Sequence, residues 1–175
     1  MLLLRLLAPR YRASAAFRLS PRLLRAWGID ALMLDLDNTL VPWGERTPPQ
    51  AVVDWITDLR RSGIPACVVS NSLSARVRAA SALLGLSAAA GGLKPGPSKL
   101  RDALRILGTP RDRTAMVGDQ LFTDVLAGNR LGVPTVLTAP LAPGEPLRIR
   151  VLRRLEGRLL AAMARRGLAP AVPEV

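Results

Sequence analysis

The sequence predicts an α/β protein with a three-layer, doubly wound parallel sheet, and three observations support that prediction. Short apolar segments of strand length alternate with stretches whose apolar residues recur at helical spacing. Gly, Pro, Asn, Asp or Ser follows most of these segments, as expected where strands and helices end. Acidic and amide side chains follow several of the strand segments. Alternating strands and helices joined by right-handed crossovers produce a parallel sheet with helices on both faces.

The first of five predicted strands is the most distinctive. The sequence ALMLDLDNTL places four apolar residues before Asp35, and a short apolar run bounded by turn formers is typical of a buried central strand. The predicted strands span residues 30–37, 64–69, 87–90, 114–117 and 133–138, the third being the weakest. The helices between them are expected to bury Val52, Trp55, Ile56 and Leu59; Val77, Ala80, Leu83 and Leu84; Leu100, Ala103, Leu104 and Leu107; and Leu121, Val125 and Leu126.

Two helix starts are predicted from their capping residues. Ser20 is a suitable N-cap, Pro21 suits the first helical position, and Gly28 ends that short helix. Thr47 with Gln50 three residues later forms a capping-box pattern. The helix after the first strand is therefore expected to begin at this box.

Composition limits the chemistry that the chain can perform. Its 175 residues, 49% of them apolar, suit one domain with a sizeable core. There is no His and only one Cys, which excludes Ser-His-Asp triads, His-ligated metals, internal disulfides and multi-Cys zinc clusters. Cys67 lies in an apolar segment and is expected to be an inert core thiol. Chemistry must use carboxylates, hydroxyls, amides and cations.

The positive charge is concentrated at the two ends of the chain. The net charge is +12, and residues 1–28 contribute six Arg and no acid, whereas residues 145–175 contribute seven Arg and three Glu. We therefore divide the chain into a basic arm with a short helix (1–28), a nearly neutral core (29–144) and a basic amphipathic helix with a tail (145–175). Basic ends of this kind indicate an anionic surface as partner. No apolar run approaches the ~18 residues of a membrane span, so we expect a cytoplasmic protein able to contact the inner face of a membrane.

The last predicted helix, residues 146–164, has two different faces. Leu152, Leu155, Leu159 and Met163 share one side, whereas Arg150, Arg153, Arg154, Arg158 and Arg165 share the other. One interpretation is an edge helix that covers the sheet and exposes its arginines to solvent. The other is an interfacial helix or a partner-binding surface, and the sequence leaves both open.

Candidate functional side chains follow the predicted strands at the ends where ligands bind in open α/β sheets. Two Asp at one strand end repel each other, so a cation or a proton is expected between them. Lys94 and Lys99 are the only lysines among 25 basic residues; a compact ammonium is expected to be needed at Lys94, whereas Lys99 is interpreted as ordinary helix surface. The candidates at strand ends are Asp35, Asp37 and Thr39; Ser70 and Asn71; and Asp119 with Asp124.

In order along the chain, DLDNTL, VVSNS, Lys94-Pro95 and VGDQLFTD resemble the four motifs of the haloacid dehalogenase-like (HAD-like) phosphatases. DLDNTLVPW, KP and GDQLFTDVLAGNR, together with the short arms, resemble more narrowly the YqeG-type phosphatases of subclass IIIA, a group that includes phosphatidylglycerophosphate phosphatases. The resemblance covers roughly residues 9–155. It implies a Rossmann-like HAD core, and the short connections leave no room for a cap domain.

The resemblance also implies the role of each candidate residue. Asp35 would be the nucleophile that forms an aspartyl-phosphate, and Asp37 the general acid and base. Mg²⁺ would be held by Asp35, the backbone carbonyl of Asp37 and Asp119, with Asp124 bound through water or orienting the other ligands. The remaining four candidates would bind the phosphoryl oxygens, namely Thr39, Ser70, Asn71 through its backbone, and Lys94.

Three functions are consistent with these observations. An uncapped site and basic ends favour a phosphatase for a phosphatidylglycerophosphate-type lipid phosphate at an anionic membrane surface. The net charge also permits nucleotide or polynucleotide-end substrates, although the arms hold few aromatic residues for base stacking. The third alternative is a non-catalytic, basic scaffold protein on the same fold. The sequence does not determine an oligomeric state.

Overall fold

The computed structural model describes residues 2–71, 75–168 and 170, so that Ser72 of the second motif and most of the predicted C-terminal tail lie outside the described residues. Six parallel strands form one sheet with helices on both faces, which confirms the predicted fold class. The strands are β1 Tyr11–Ala13, β2 Ala31–Leu34, β3 Ala66–Val68, β4 Ser87–Ala88, β5 Thr114–Gly118 and β6 Thr135–Thr138. The helices are α1 Leu2–Leu7, α2 Pro21–Ala26, α3 Gln50–Arg61, α4 Ala75–Leu84, α5 Ser98–Leu107, α6 Leu126–Leu131 and α7 Leu147–Ala164.

The strand order places the candidate site at the centre of the sheet. The order is β1-β6-β5-β2-β3-β4, so β2 lies between β5 and β3. The chain builds one half of the sheet from β2 to β4 and then returns to the other side of β2 with β5. Ligands of doubly wound sheets bind where the strand order reverses in this way, at the carboxyl ends of the strands. The ends of β2, β3 and β5 therefore carry the side chains that matter most.

The first strand of the sheet was not predicted from the sequence. Residues 11–13 pair in parallel with β6, from Tyr11 opposite Val136 to Ala13 opposite Thr138. In addition, the backbone N–H of Arg10 donates a hydrogen bond to Thr135 Oγ1 at 3.2 Å. Three residues are too few to display an alternating pattern, so only pairing with β6 defines this strand. The N-terminal arm thereby covers what would otherwise be an open sheet edge.

One of the two predicted helix starts is confirmed and the other is wrong. Ser20 Oγ accepts from the backbone N–H of Leu23 at 3.2 Å, with Pro21 at the first position of α2. By contrast, α3 begins at Gln50 after an extended Pro49, and no side chain caps it. Two consecutive prolines hold the preceding backbone extended. The helix therefore starts too far along the chain for Thr47 to be its N-cap. Gln50 donates to Asp54 Oδ1 at 2.8 Å instead.

Most predicted apolar positions are buried or partly buried, and two are exposed. Leu83 is 63% exposed, because Ser81 takes the inner position beside Val77 and Leu84. Leu155 is 48% exposed, because Glu156 takes the inner side of α7. Cys67 is buried, as expected for a core thiol, and burial raises its pKa to about 11.

The inner face of α7 packs on the sheet. Leu159, Leu160 and Met163 form one apolar cluster with residues of α1 and of the segment after β5, among them Leu7 and Leu121. Helix α7 is therefore attached to the domain along its inner side, while its other side is open.

No helix within the described ranges is both long enough and apolar enough to span a bilayer.

Candidate active site

Three buried carboxylates meet at the carboxyl ends of β2 and β5. Asp35 follows β2, Asp119 follows β5, and Asp124 lies in the π-helical turn Leu121–Val125; they are 5%, 2% and 1% exposed. Each offers one oxygen within 4.8 Å of the others. Gly118 makes this approach possible, since a Cβ there would lie 2.3 Å from Asp124 Cγ. Hard carboxylate oxygens so close together form a donor set of the kind that binds Mg²⁺ or Ca²⁺.

Lys94 joins two members of the trio. Its Nζ donates to Asp35 Oδ1 at 2.5 Å and to Asp124 Oδ1 at 2.6 Å, and the side chain is almost fully buried. Asn71 fixes the Lys94 backbone, since its Oδ1 accepts from Lys94 N at 2.6 Å and its Nδ2 donates to Lys94 O at 3.0 Å. In this structure, the Asn71 side chain therefore positions the lysine rather than reaching into the site.

The carboxylates outnumber the cations that face them. Burial would lower the pKa of Lys94, but Asp124 and Asp35 outweigh burial and raise that pKa above its ordinary value, so the ammonium remains charged. Burial raises the pKa of Asp35 well above its ordinary range; Lys94 opposes this rise, whereas Asp124 and Asp119 add to it. Burial likewise raises the pKa of Asp119 to about 6, although Arg153 lowers it. A further cation in the notch would therefore favour the ionised forms of Asp35 and Asp119.

Asp37 and Thr39 lie on the loop after β2. The Asp37 side chain is at the rim of the site, where Arg76 of α4 donates Nη1–H to its Oδ1. Arg76 also donates Nε–H to Glu45 O at 2.7 Å and so fastens the loop to α4. Thr39 is buried, and its Oγ1 donates to Asp119 Oδ1 at 3.3 Å. Thus Thr39 contacts the trio, whereas the Asp37 carboxylate is directed to Arg76.

Arg153 of α7 contacts the site from its inner side, contrary to the prediction that it lies on the solvent face. Its Nη2–H donates to Asp119 Oδ2 and, at 2.6 Å, to Glu145 Oε1, and its Nη1–H donates to Asp119 O. Helical spacing alone places Arg153 near the boundary between the two faces of α7, so the spacing does not distinguish it from the other arginines. Burial of Asp119 and Glu145 beneath the helix decides the direction of the side chain.

Asn38 connects the first loop to the start of α7. It is the one non-glycine residue with positive φ in the described ranges, at 61°, a conformation that Asn tolerates better than most residues. Its Nδ2 donates to Glu145 Oε1 at 2.8 Å, and its Oδ1 accepts from Trp43 N at 3.0 Å. Sequence reasoning missed the roles of Asn38, Glu145 and Arg153. The one available signal was the position of Asn38 between the motif residues Asp37 and Thr39.

Lys99 is buried, so its interpretation as helix surface is wrong. It is 0% exposed, and its Nζ donates to the carbonyl oxygen of Ser70, which is itself buried at the end of the second predicted strand. Burial, followed by the charge of Lys94, lowers its pKa. The signal was present in the sequence, because the same rarity of lysine that singled out Lys94 applied equally to Lys99. It was missed because the helical pattern of α5 gives no information on what its first turn contacts.

Comparisons with known proteins agree on one family. A family model described as HAD-hydrolase-like matches residues 93–140. The chain is 33% identical over 151 residues to the probable phosphatase YqeG of Bacillus subtilis, covering 86% of this chain and 88% of that protein. It is 32% identical over 164 residues to the chloroplastic/mitochondrial phosphatidylglycerophosphate phosphatase 1 of Arabidopsis thaliana, covering 84% of this chain but only 45% of that longer protein.

The fold is also similar to solved structures. A cobalt-bound deoxy-D-mannose-octulosonate 8-phosphate phosphatase from Haemophilus influenzae superposes with a TM-score of 0.53 at 18% identity, covering 79% of this chain and 91% of that chain. At this identity the likeness concerns the fold alone.

Proposed function

This chain belongs to the HAD-like phosphatases of the YqeG type, and from that premise we propose that it is a Mg²⁺-dependent phosphomonoester hydrolase acting on a phosphatidylglycerophosphate-type lipid phosphate. The observation that carries the proposal is the buried trio of Asp35, Asp119 and Asp124, two of whose members contact Lys94. A nucleophile, a phosphate-binding cation and a cation site in one notch are the parts that phosphoryl transfer needs.

The donor set of the notch fits Mg²⁺. All three side chains offer carboxylate oxygens. Burial, to which the charge of Asp124 adds, raises the pKa values of Asp35 and Asp119, so a cation in the notch would favour their ionised forms. Mg²⁺ would be held by Asp35, Asp119 and the backbone carbonyl of Asp37, with Asp124 bound through water or orienting the others, and would supply positive charge to the phosphoryl oxygens.

The chain's own residues would divide the two steps of hydrolysis. An Asp35 carboxylate oxygen attacks phosphorus, the bond from phosphorus to the alcohol oxygen breaks, and an aspartyl-phosphate remains. Lys94, Ser70, Thr39 and the backbone of Asn71 would hold the phosphoryl oxygens. For Lys94 this requires exchange of one carboxylate contact for the substrate. Water then attacks phosphorus, the bond to Asp35 breaks, and phosphate leaves.

Asp37 would give a proton to the leaving alcohol and take one from the attacking water. Its present partner is the Arg76 guanidinium. To reach the leaving group, the Asp37 carboxyl therefore has to exchange Arg76 for the oxygen of that group. Asp37 lies at the rim with its side chain partly exposed, which allows that exchange.

The proposed lipid substrate is supported by the open site and by the relatives. The described chain continues from Asp37 through one loop to α3 at Gln50, with no cap domain between them. A large substrate body can thus remain outside while its phosphate enters. The Arabidopsis relative is named as a phosphatidylglycerophosphate phosphatase, and the basic ends of the chain suit a bilayer that presents this anionic lipid.

Phosphate release from three substrate classes tests this proposal. With Mg²⁺ present, we expect turnover of phosphatidylglycerophosphate in detergent micelles to exceed turnover of nucleoside monophosphates and 3′-phosphorylated oligonucleotides at least tenfold in kcat/KM. Chelation of the metal should abolish turnover of all three. Faster hydrolysis of either nucleic-acid substrate would contradict the lipid assignment, and undiminished activity after chelation would contradict the metal.

Arg153→Met is expected to lower kcat by about 10–100-fold, the usual cost of losing a group that orients a metal ligand. Arg153 lowers the pKa of Asp119, so its removal should raise that pKa. The acidic limb of the pH–activity profile should then move to higher pH, which a general loss of stability would not cause. Arg154→Met, at an exposed neighbour on α7, serves as the matched control and should leave the profile unchanged. An unmoved acidic limb in Arg153→Met would refute this role.

Lys99→Met is expected to raise KM about tenfold with a smaller change in kcat. The ammonium donates to the Ser70 carbonyl. A buried carbonyl without a donor costs free energy, which favours a rearrangement that gives it a new partner. Movement would displace Ser70 and Asn71, and with them the Lys94 backbone. Arg101→Met, at an exposed position of α5, should leave KM unchanged. Wild-type KM in Lys99→Met would show that the Ser70 loop is held by other contacts.

A further inference from the structure

The outward face of α7 carries a line of exposed apolar side chains. Leu147, Val151 and Leu155 are 70%, 55% and 48% exposed, and their four-residue spacing places them along one side of the helix. The other large apolar side chains that are exposed in the described ranges, Leu83, Leu93 and Ile106, lie singly on different segments. Single exposed residues need no explanation, whereas an aligned group indicates a contact surface.

The exposed charged residues of α7 are all cations. Five arginines are exposed on α7 or at its C-cap, and the single acid within Leu147–Ala164 is Glu156, which is buried. The exposed arginines are Arg148, Arg150, Arg154, Arg158 and Arg165. The outer face thus combines apolar side chains with positive charge and has no exposed anion to neutralise it.

We propose that the outer face of α7 lies in the interface of an anionic bilayer, with the apolar line among the lipid glycerol and acyl groups and the arginines on headgroup phosphates. A cationic helix with an apolar line is the form that binds in the plane of such a surface. Nucleic acid would match the arginines but leave Leu147, Val151 and Leu155 without an apolar partner. A second copy of the chain would place two sets of arginines against each other, and these like charges would repel.

The opposite side of the same helix contacts the catalytic notch. Glu145, two residues before Leu147, accepts from Asn38 Nδ2, and Arg153 donates to Asp119 from the inner face. The apolar line therefore begins two residues along the chain from a contact of the site. Docking of α7 would hold this end of the site near the bilayer and its lipid phosphates. This step rests on the proposed function only for the assumption that the substrate is a lipid.

Vesicle co-sedimentation of the full chain tests the docking surface. The probes are vesicles of phosphatidylcholine alone and of equal parts phosphatidylcholine and phosphatidylglycerol. We expect the wild type to bind only the anionic vesicles. Replacing Leu147, Val151 and Leu155 with Ser should weaken that binding at least tenfold, since it removes the apolar contact. Replacing Arg150, Arg154 and Arg158 with Gln should weaken it about 100-fold at low salt, at roughly fivefold for each charge near an anionic surface.

Matched controls change the same residue types elsewhere. Leu83→Ser removes another exposed leucine, and Gln at Arg61, Arg101 and Arg111 removes three exposed charges from other elements. Both controls should bind anionic vesicles nearly as the wild type does. All variants should hydrolyse p-nitrophenyl phosphate at the wild-type rate, because none changes the site.

Three outcomes would overturn the docking surface: unchanged vesicle binding by both α7 variants, equal losses in the controls, or a wild-type dimer that the apolar-line variant dissociates. Tighter binding of the wild type to duplex DNA than to anionic vesicles would also overturn it. If the proposed function alone is wrong, the result differs. The wild type would then still bind anionic vesicles but would release no phosphate from phosphatidylglycerophosphate in detergent micelles.

Discussion

Asp35→Asn is expected to reduce kcat by about 10⁴-fold or more while leaving the protein folded. An amide oxygen cannot form the acyl-phosphate through which the proposed reaction passes, and loss of a nucleophile is among the most damaging changes to an enzyme. The backbone bond from Asp35 N to Val117 O at 2.9 Å does not depend on the side chain. Because the pKa of Asp35 is already raised by burial, the neutral amide should cost little or no stability.

The measurement combines turnover of a soluble phosphomonoester with thermal unfolding and acid-quench trapping of the phosphorylated protein. The wild type should yield a labelled protein during turnover and the variant none. Asp30→Asn is the matched control, because Asp30 lies at the opposite end of the same strand and pairs with Arg113 on the surface. Comparable turnover by Asp35→Asn and the wild type would remove Asp35 from the nucleophile role.

Lys94→Met is expected to reduce activity by about 10³-fold and, in metal-free buffer at pH 7, to lower the free energy of unfolding by about 3–5 kcal/mol. The ammonium is the buried partner of Asp35 and Asp124, so its loss leaves uncompensated charges inside the protein. The penalty should shrink as the pH is lowered, because Asp35, whose pKa is raised by burial, then binds a proton in the folded state more readily than in the unfolded state.

Added Mg²⁺ separates the two roles of Lys94. We expect it to restore much of the stability of Lys94→Met, since a divalent cation can neutralise the same carboxylates, but not the activity, since the phosphate-binding ammonium is still missing. Chemical denaturation with and without Mg²⁺, alongside steady-state kinetics, makes this measurement. Arg101→Met controls for loss of one positive charge. Recovery of full activity with Mg²⁺ would show that Lys94 only balances charge.

Much of the core of the fold could be predicted because its signals are local. The apolar runs before Asp35 and before Asp119 have the length and bounding residues of buried strands, and the structure places β2 and β5 there side by side. Parallel strands bring their carboxyl ends to one edge, so the acids that follow them lie together. By contrast, β1 has too few residues for a pattern and exists because β6 offers it an edge. The Thr47 capping box failed because two prolines delay the start of α3.

By itself the sequence determined the alternation of strands and helices, the class of chemistry, and the acids and lysine proposed to perform it, because spacing and residue type are properties of short segments. Only the tertiary structure decided which of many similar cations enter the site. Lys99 donates to Ser70 across 29 residues, and Arg153 donates to Asp119 across 34. In a chain with 23 arginines and two lysines, cations that face solvent and cations that hold a buried acid have the same helical pattern; burial by other segments, which no local pattern encodes, distinguishes them.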